Sequence, residues 1–353
     1  MKILLLSRYG RLGASSRVRS YQYIPYLELH GMKVTVGPLL EDAYIQDLYA
    51  DKRKRVGAIF YAYLRRLGYL FRSHQFDLLW IEKELFPWLP ALAETLLDHL
   101  SIPYVVDYDD AVFHRYDIHP KAIVRSILGR KIDAIMRRAA IVIVGNDYLA
   151  ERARRAGAKR VEYLPTVVDL EGYHTTPKSN STVFTIGWIG SPATCHYLKL
   201  IASPLRDICS VYNARLVLIG AEKVDLPGVP IEYVAWSEAT EVQEMQRFDV
   251  GVMPLVDEPW ERGKCGFKLI QYMACGRPVV GSPIGVNKQI IEHGVNGFQA
   301  NTNKEWVDAM QLLRKDAELR EKMGECGRKL VEESYCIQVT APKLVSLLRS
   351  VVR

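Results

Sequence analysis

The chain opens on an unbroken apolar run, Ile3 to Leu6, and runs of that kind recur as far as Val280. Between them, apolar positions return every three or four residues. Short unbroken runs predict strands buried on both faces, and the helical recurrence predicts helices that cover them. In the first half, strands are predicted at 2–6, 34–36, 77–81, 103–106, 141–144 and 161–163, with helices over about 15–30, 52–73, 121–138 and 147–156. In the second half, strands at 183–191, 215–219, 231–234, 249–254 and 278–280 alternate with helices over about 194–209, 266–275, 287–293, 303–315, 318–333 and 338–352. Regular alternation of this kind predicts an α/β fold with doubly wound parallel sheets. The polar, aperiodic stretch Thr175–Ser181 breaks the alternation and marks a boundary. The expected organisation is a Rossmann-like domain over 1–172, a linker over 173–182, a second Rossmann-like domain over 183–335, and a C-terminal helix over 336–353 packing back toward the first.

Composition changes this picture little. At 353 residues the chain has room for two ordinary domains, and 49% hydrophobic against 25% charged residues is the balance of a soluble globular enzyme. No run of eighteen apolar residues is present, and Met1–Arg8 is too short for a secretory leader and reads as the first strand. The six cysteines show no CxxC pair or zinc spacing, so free thiols in a reducing cytoplasm are expected.

Charge changes it more. Residues 1–170 hold 26 Lys and Arg against 19 Asp and Glu, while the remainder holds 21 of each. All of the excess positive charge lies in the first half, which suits anionic lipid headgroups, phosphorylated acceptors or nucleic acid, or is simply a solvated basic surface. Residues 52–73 mix Lys52–Arg55, Arg65, Arg66 and Arg72 with Phe60, Tyr61, Tyr63, Leu64 and Phe71. Such a helix suits a membrane interface. The wide spread of its aromatics favours instead a helix packed on the sheet with its arginines reaching outward.

Three stretches carry candidate chemistry. After the first strand, Gly10-Arg11-Leu12-Gly13 leads into a helix that Ser15 or Ser16 is expected to cap. The spacing is G-x-x-G with no third glycine, and the second strand ends in Gly37-Pro38 without an acid, so a dinucleotide site is not predicted. After the fourth strand, Asp107, Asp109, Asp110 and His114 crowd a strand end, where open α/β sheets bind ligands. Asp107-Tyr108-Asp109 is also a D-x-D, a pattern suited to a divalent ion, though turns and helix caps often look the same. The third stretch runs from Gly263 to Gly297. Gly266 opens an amphipathic helix that Gly276 closes, and a helix N-terminus flanked by Lys264 and Lys268 suits a diphosphate. Gln271, one turn on, would offer its amide to the same ligand, and Trp236 ends a strand where an indole can line a base or simply pack.

Two doubly wound halves with a glycine-opened helix in the second resemble the retaining family-4 glycosyltransferases of the GT-B fold. Gln271-Tyr-Met-Ala-Cys-Gly-Arg-Pro-Val-Val280 is similar to the family's E-(A/Y)-M-A-x-G-x-P-V-V. The loop holding Gly13, the stretch Val142–Asn146 and the exit Leu164–Asp169 look like the family's corresponding segments, so the resemblance covers nearly the whole chain. It implies two Rossmann-like domains facing an interdomain cleft. It also implies transfer of a sugar, with retention, from a UDP- or GDP-sugar to a glycan or lipid-linked acceptor in polysaccharide, glycolipid or cell-surface glycan synthesis. No metal or cofactor and no nucleic acid would be required. On the same resemblance, Gly266 and Phe267 offer N–H groups to the diphosphate, Gln271 faces the ribose, and Gly13 approaches the donor phosphate. Gly190, Ser191 and Trp236 also fall on the donor side, and the catalytic loop falls on Asp109, Asp110 and His114. The protein is then expected in the cytoplasm, at the inner face of the cell membrane, with the basic first domain against anionic lipid.

The chain departs from the pattern at two places. The family's paired glutamates fall on Gly263 and Gln271, so the first carboxylate is missing and Glu261 is the nearest substitute. The usual Arg and Lys after the first strand of the second domain are replaced by Gly190-Ser191-Pro192-Ala193-Thr194, leaving Lys264, Lys268 and Arg17 to meet the diphosphate charge. Two alternatives stay open: a metal-dependent, single-sheet GT-A-like transferase built on Asp107 and Asp109, and a GT-B scaffold that binds without catalysing.

Overall fold

Six parallel strands in the order β2-β1-β3-β4-β5-β6 make the first sheet of the computed structural model, which describes residues 1–49, 56–176 and 182–352. They are β1 Lys2–Leu6, β2 Lys33–Val36, β3 Leu78–Glu82, β4 Tyr104–Tyr108, β5 Ile141–Val144 and β6 Val161–Tyr163. Ile3 through Leu6 and the apolar residues of β3, β4 and β5 are essentially inaccessible to water, as the unbroken runs require. The second sheet has the order β12-β11-β10-β7-β8-β9, with β7 Phe184–Ile189, β8 Ala214–Ile219, β9 Ile231–Val234, β10 Val250–Met253, β11 Val279–Gly281 and β12 Gly297–Gln299. Both sheets are α/β and doubly wound. The strand order reverses between β1 and β3 in one and between β7 and β10 in the other. Ligands of open α/β sheets sit beyond the carboxyl ends of the strands at such reversals.

The chain forms two units, and their boundaries are not contiguous in sequence. One takes in Met1–Thr166, Gly263–Cys265 and Thr340–Arg353, and the other Val167–Arg262 and Gly266–Val339. The end of the chain is held in the first unit by a Tyr23–Thr340 hydroxyl pair at 2.9 Å, by Lys343 donating to the Tyr163 carbonyl at 2.7 Å and by Arg349 donating to that of His30 at 2.7 Å.

Several helices differ from expectation. The helix predicted over 15–30 is broken into Ala14–Arg19, a 3-10 turn Tyr21–Tyr23 and Ile24–Leu29, with Ser20 at φ −135° leaving the helical region and Pro25 lacking an N–H to continue the ladder. Gly13, not a serine, is its N-cap. Gly129 and Arg130 divide the stretch 121–138 into Ala122–Leu128 and Lys131–Arg138. The helices Asp42–Tyr49 and Leu92–His99 and the strand β12 were not anticipated.

The expectation for 52–73 is corrected most sharply. Lys52–Arg55 lies outside the described residues and Arg72 is exposed as expected, but on the helix Val56–Phe71 Arg66 turns inward and Arg65 is half-buried. Arg66 is buried and donates to the Ser7 carbonyl, and Arg65 donates to the carbonyls of Pro38 and Leu39. No helix among the described residues is long and apolar enough to cross a membrane.

Candidate active site

In the second unit, the helix Phe267–Ala274 begins at Gly266, whose φ of +67° is left-handed and whose added Cβ would collide with Ile290. Only glycine meets both demands without strain. The first-turn N–H groups of a helix have no partner inside it, and they gather the positive end of the dipole. Lys268 stands in that turn. Its side chain runs past Gly190 at the end of β7, where an added Cβ would lie 2.8 Å from Lys268 Cε, and its ammonium sits 5.2 Å from the centre of the Trp188 ring. Gly190 and Lys268, read separately in the sequence, are thus one feature. Gly220, with φ +74°, brings the end of β8 against the Gly190 carbonyl, and Trp236 packs beside it after β9. Ser191 precedes the 3-10 turn Pro192–Ile201, and its carbonyl accepts from the Thr194 hydroxyl at 3.0 Å. Phe267 is half-buried.

Other candidates of this unit are drawn into packing. Gln271 is only 4% exposed and donates to the Tyr173 hydroxyl at 2.9 Å. That hydroxyl donates at 3.3 Å to Glu241, which also accepts from the Trp236 indole N–H at 2.6 Å. Glu261, on the short helix Pro259–Arg262, is buried and accepts from the Tyr197 hydroxyl.

In the first unit, charge converges beyond the ends of β1, β3 and β4. Lys83 adopts φ +65° directly after β3 and directs its ammonium to Asp109 at 2.8 Å, to the Ser15 hydroxyl at 3.1 Å and toward Asp110 at 3.8 Å. Ser15 in turn donates to Asp109, and Ser16 donates to Glu82 at 2.6 Å. The two serines expected to cap the helix therefore serve the strand-end carboxylates. Burial works against the charge on Asp109, but Lys83 and then Arg19 outweigh it and hold that carboxyl below its ordinary value. Asp110 goes the other way: burial, then the neighbouring Asp109, raise it above its ordinary value. Burial alone would lower Lys83, yet Asp109 and Asp110 hold it above the usual lysine range.

Asp107 is engaged by Arg19 in a bidentate pair, Nε to Oδ1 at 2.8 Å and Nη2 to Oδ2 at 2.9 Å. Behind it, Glu84 meets Lys131 at 2.6 Å and Arg8 at 3.2 Å. His114 is fixed at both ring nitrogens, Nδ1 to Asp117 at 2.8 Å and Nε2 to the Tyr148 hydroxyl at 2.7 Å. Gly13 begins the helix Ala14–Arg19, and an added Cβ there would collide with Tyr9. Arg17 is buried, with a long contact from Nη1 to the Arg11 carbonyl at 3.5 Å.

The segment Gly263–Cys265 is part of this cluster. Asn146 donates to the carbonyls of Gly263 at 2.9 Å and Lys264 at 3.0 Å, and the Cys265 thiol donates to the Asp109 carbonyl at 3.1 Å. Lys264 is half-buried and acts electrostatically on Asp110. A Cβ at Gly263 would lie 2.5 Å from Ala111 Cβ and 2.7 Å from its backbone N, so any side chain there requires the backbone to shift. Sequence reasoning brought out Asp109, Asp110 and Lys264, read Ser15 as a helix cap, and missed Arg19, Lys83 and Glu84. Glu82-Lys83-Glu84 follows a buried strand just as Asp109 does, so the same signal was present; the left-handed turn at Lys83 was not readable.

Two Rossmann-like units, each built on a six-stranded parallel sheet, place the chain in the GT-B class. HepE of Anabaena, in complex with UDP and glucose, superposes with a TM-score of 0.73 over 99% of this chain and all of that one at 17% identity. Residues 181–316, most of the second unit, are similar to the family of glycosyl transferases group 1. N-acetyl-alpha-D-glucosaminyl L-malate synthase of Bacillus anthracis is 37% identical over 78 residues, 21% of this chain. D-inositol 3-phosphate glycosyltransferase of Pseudarthrobacter chlorophenolicus is 28% identical over 149 residues, 40% of this chain. These matches span 20% and 32% of the two relatives. The fold removes the single-sheet alternative, since Asp107 and Asp109 lie in one unit of a two-sheet chain.

Proposed function

We propose that this protein is a glycosyltransferase that moves a sugar from a UDP- or GDP-sugar to an acceptor hydroxyl with retention at the anomeric carbon, the acceptor being a glycan or a lipid-linked glycan. The observation that carries the reading is the helix start at Gly266, left-handed and followed by Lys268 reaching over Gly190, inside the matched region 181–316. In the step proposed, the bond from the anomeric carbon to the diphosphate oxygen breaks and its electron pair leaves with the diphosphate. The acceptor oxygen bonds to that carbon and gives up its proton. Helix N–H groups and the Lys268 ammonium are suited to the departing charge, with Gly13, Arg17, Ser191, Trp236, Lys264, Phe267 and Gln271 as further donor-side candidates. Of the carboxylates in the first unit, Asp109 is committed to Lys83 and Ser15. Asp110 has its side chain 29% exposed and is held above its ordinary value, so it is the better proton acceptor, while His114 is held by Asp117 and Tyr148 and is a further catalytic-side candidate.

A thermal-shift panel of UDP, GDP, ADP, CMP and dTDP, with and without Mg²⁺, tests the donor half. A nucleotide at a hundred times its dissociation constant adds about 2.7 kcal/mol to the folded state. A shift with UDP or GDP that Lys268→Ala abolishes is the expected result. No shift with any nucleotide would favour a scaffold without catalysis. The stereochemistry is read separately by an NMR time course of the product, in which inversion would overturn retention.

A further inference from the structure

The helix Val56–Phe71 is turned inside out. Of its two arginines, Arg66 is 1% exposed, with Nε and Nη1 lacking hydrogen-bond partners among the described residues, and Arg65 is half-buried, turned to the Pro38 and Leu39 carbonyls and to the exposed Glu41. Its outward face is apolar: Phe60 is 66% exposed, Leu64 49%, Leu67 40% and Phe71 80%. These positions recur at helical spacing and form one stripe. Apart from the Tyr61 hydroxyl, no polar side chain stands among the exposed residues of this helix from Gly57 on. Tyr63 ties the helix to the next exposed aromatic: its hydroxyl donates to the Pro87 carbonyl at 2.6 Å and its ring lies 5.5 Å from Phe86, just before the half-exposed Trp88. A stripe that water would leave uncovered is an unfavourable surface unless something meets it.

The charge says what meets it. Residues 1–170 carry the whole positive excess of the chain, 26 Lys and Arg against 19 Asp and Glu, and Arg72 is exposed at the end of the helix itself. A second copy would bring two cationic units together, whereas an anionic bilayer attracts them and accepts phenylalanine, tyrosine and tryptophan at its interface. We propose that the stripe of Phe60, Leu64, Leu67 and Phe71 lies in the plane of an anionic lipid surface. This stands independently of the sugar-transfer reading, since it uses no residue of the candidate site.

Sedimentation with phosphatidylcholine vesicles, with and without phosphatidylglycerol, tests it. The full chain is expected to pellet with the anionic vesicles, weakly with the neutral ones, and less as salt rises. A Phe60→Ser, Leu64→Ser, Phe71→Ser variant is expected to bind at least about tenfold more weakly with an unchanged melting temperature, because all three side chains are already exposed. Phe71→Ser alone serves as a milder second variant and is expected to weaken binding in the same direction. Wild-type protein left in the supernatant with anionic vesicles overturns the proposal, as does undiminished binding by the folded variants. A dimer seen by light scattering that the variant splits, with no vesicle binding, also overturns it and assigns the stripe to a second copy.

Discussion

Lys83 adopts a left-handed backbone, which costs a residue with a side chain about 1–2 kcal/mol, and it does so to place an ammonium between Asp109 and Ser15. Lys83→Met would leave Asp109 buried without its main partner, and a loss of about 3–5 kcal/mol in urea unfolding at neutral pH is expected. The sign of the pH dependence follows from Asp109. In the wild type its folded-state value lies below 3.8, so its contribution is present above that pH and fades as pH falls through the folded value. In the variant, burial without Lys83 raises the same carboxyl, and acid relieves the penalty. The gap between the two proteins should therefore begin to narrow above about pH 4, where the variant's raised carboxyl takes up its proton, and go on narrowing below about 4 as the wild type loses its pairing. A gap that stays constant would contradict the pairing. Gly263 gives a second residue-scale test. Gly263→Glu restores the family's carboxylate in sequence but puts a Cβ 2.7 Å from the Ala111 nitrogen, so destabilisation by about 1–3 kcal/mol or more is expected rather than a gain in activity. A stable, more active variant would show that the loop gives way.

Among the elements, Asn146 joins two of them. Its side-chain oxygen accepts from Leu149 N at 2.9 Å and caps the helix Asp147–Arg155, while its Nδ2 donates to the carbonyls of Gly263 and Lys264. Asn146→Ala should cost about 2–4 kcal/mol, roughly 1 from the cap and the rest from carbonyls left short of a donor. Asn146→Asp keeps the cap but turns a carboxylate oxygen onto the two carbonyls, so at neutral pH it should melt below Asn146→Ala. Equal stability of all three would mean that the Gly263–Cys265 segment is held by other contacts. The strands were legible because a strand buried on both faces must be apolar throughout. The helix breaks at Ser20 and Gly129 were less so, because the apolar period runs through them. The direction of Val56–Phe71 could not be read at all: an arginine faces inward only because carbonyls such as those of Ser7, Pro38 and Leu39 wait there, and these come from other parts of the chain.

The first unit takes in Thr340–Arg353, far along the chain from its strands. Ala341, Leu344, Val345 and Leu348 are buried, and each large side chain of this kind contributes about 1.5–3 kcal/mol, so together they rival the whole stability of an ordinary domain. A chain ending at Val339 should expose the segment Met1–Thr166 to limited proteolysis while the fold of the second unit survives. Unchanged resistance and melting temperature would show that the terminal helix is dispensable. At this scale the sequence determined the class: two runs of alternating strand and helix, a glycine-opened helix before Gln271–Val280, and carboxylates beyond β4 follow from local pattern, because burial and turn geometry act on neighbouring residues. The tertiary structure decided what each candidate touches. It joined Lys268 to Gly190, gave Asp109 to Lys83 and Ser15, took Gln271 into a buried network with Tyr173, and closed the space at Gly263. Those outcomes depend on distances between residues up to 156 positions apart, as between Asp109 and Cys265, and no local pattern encodes them.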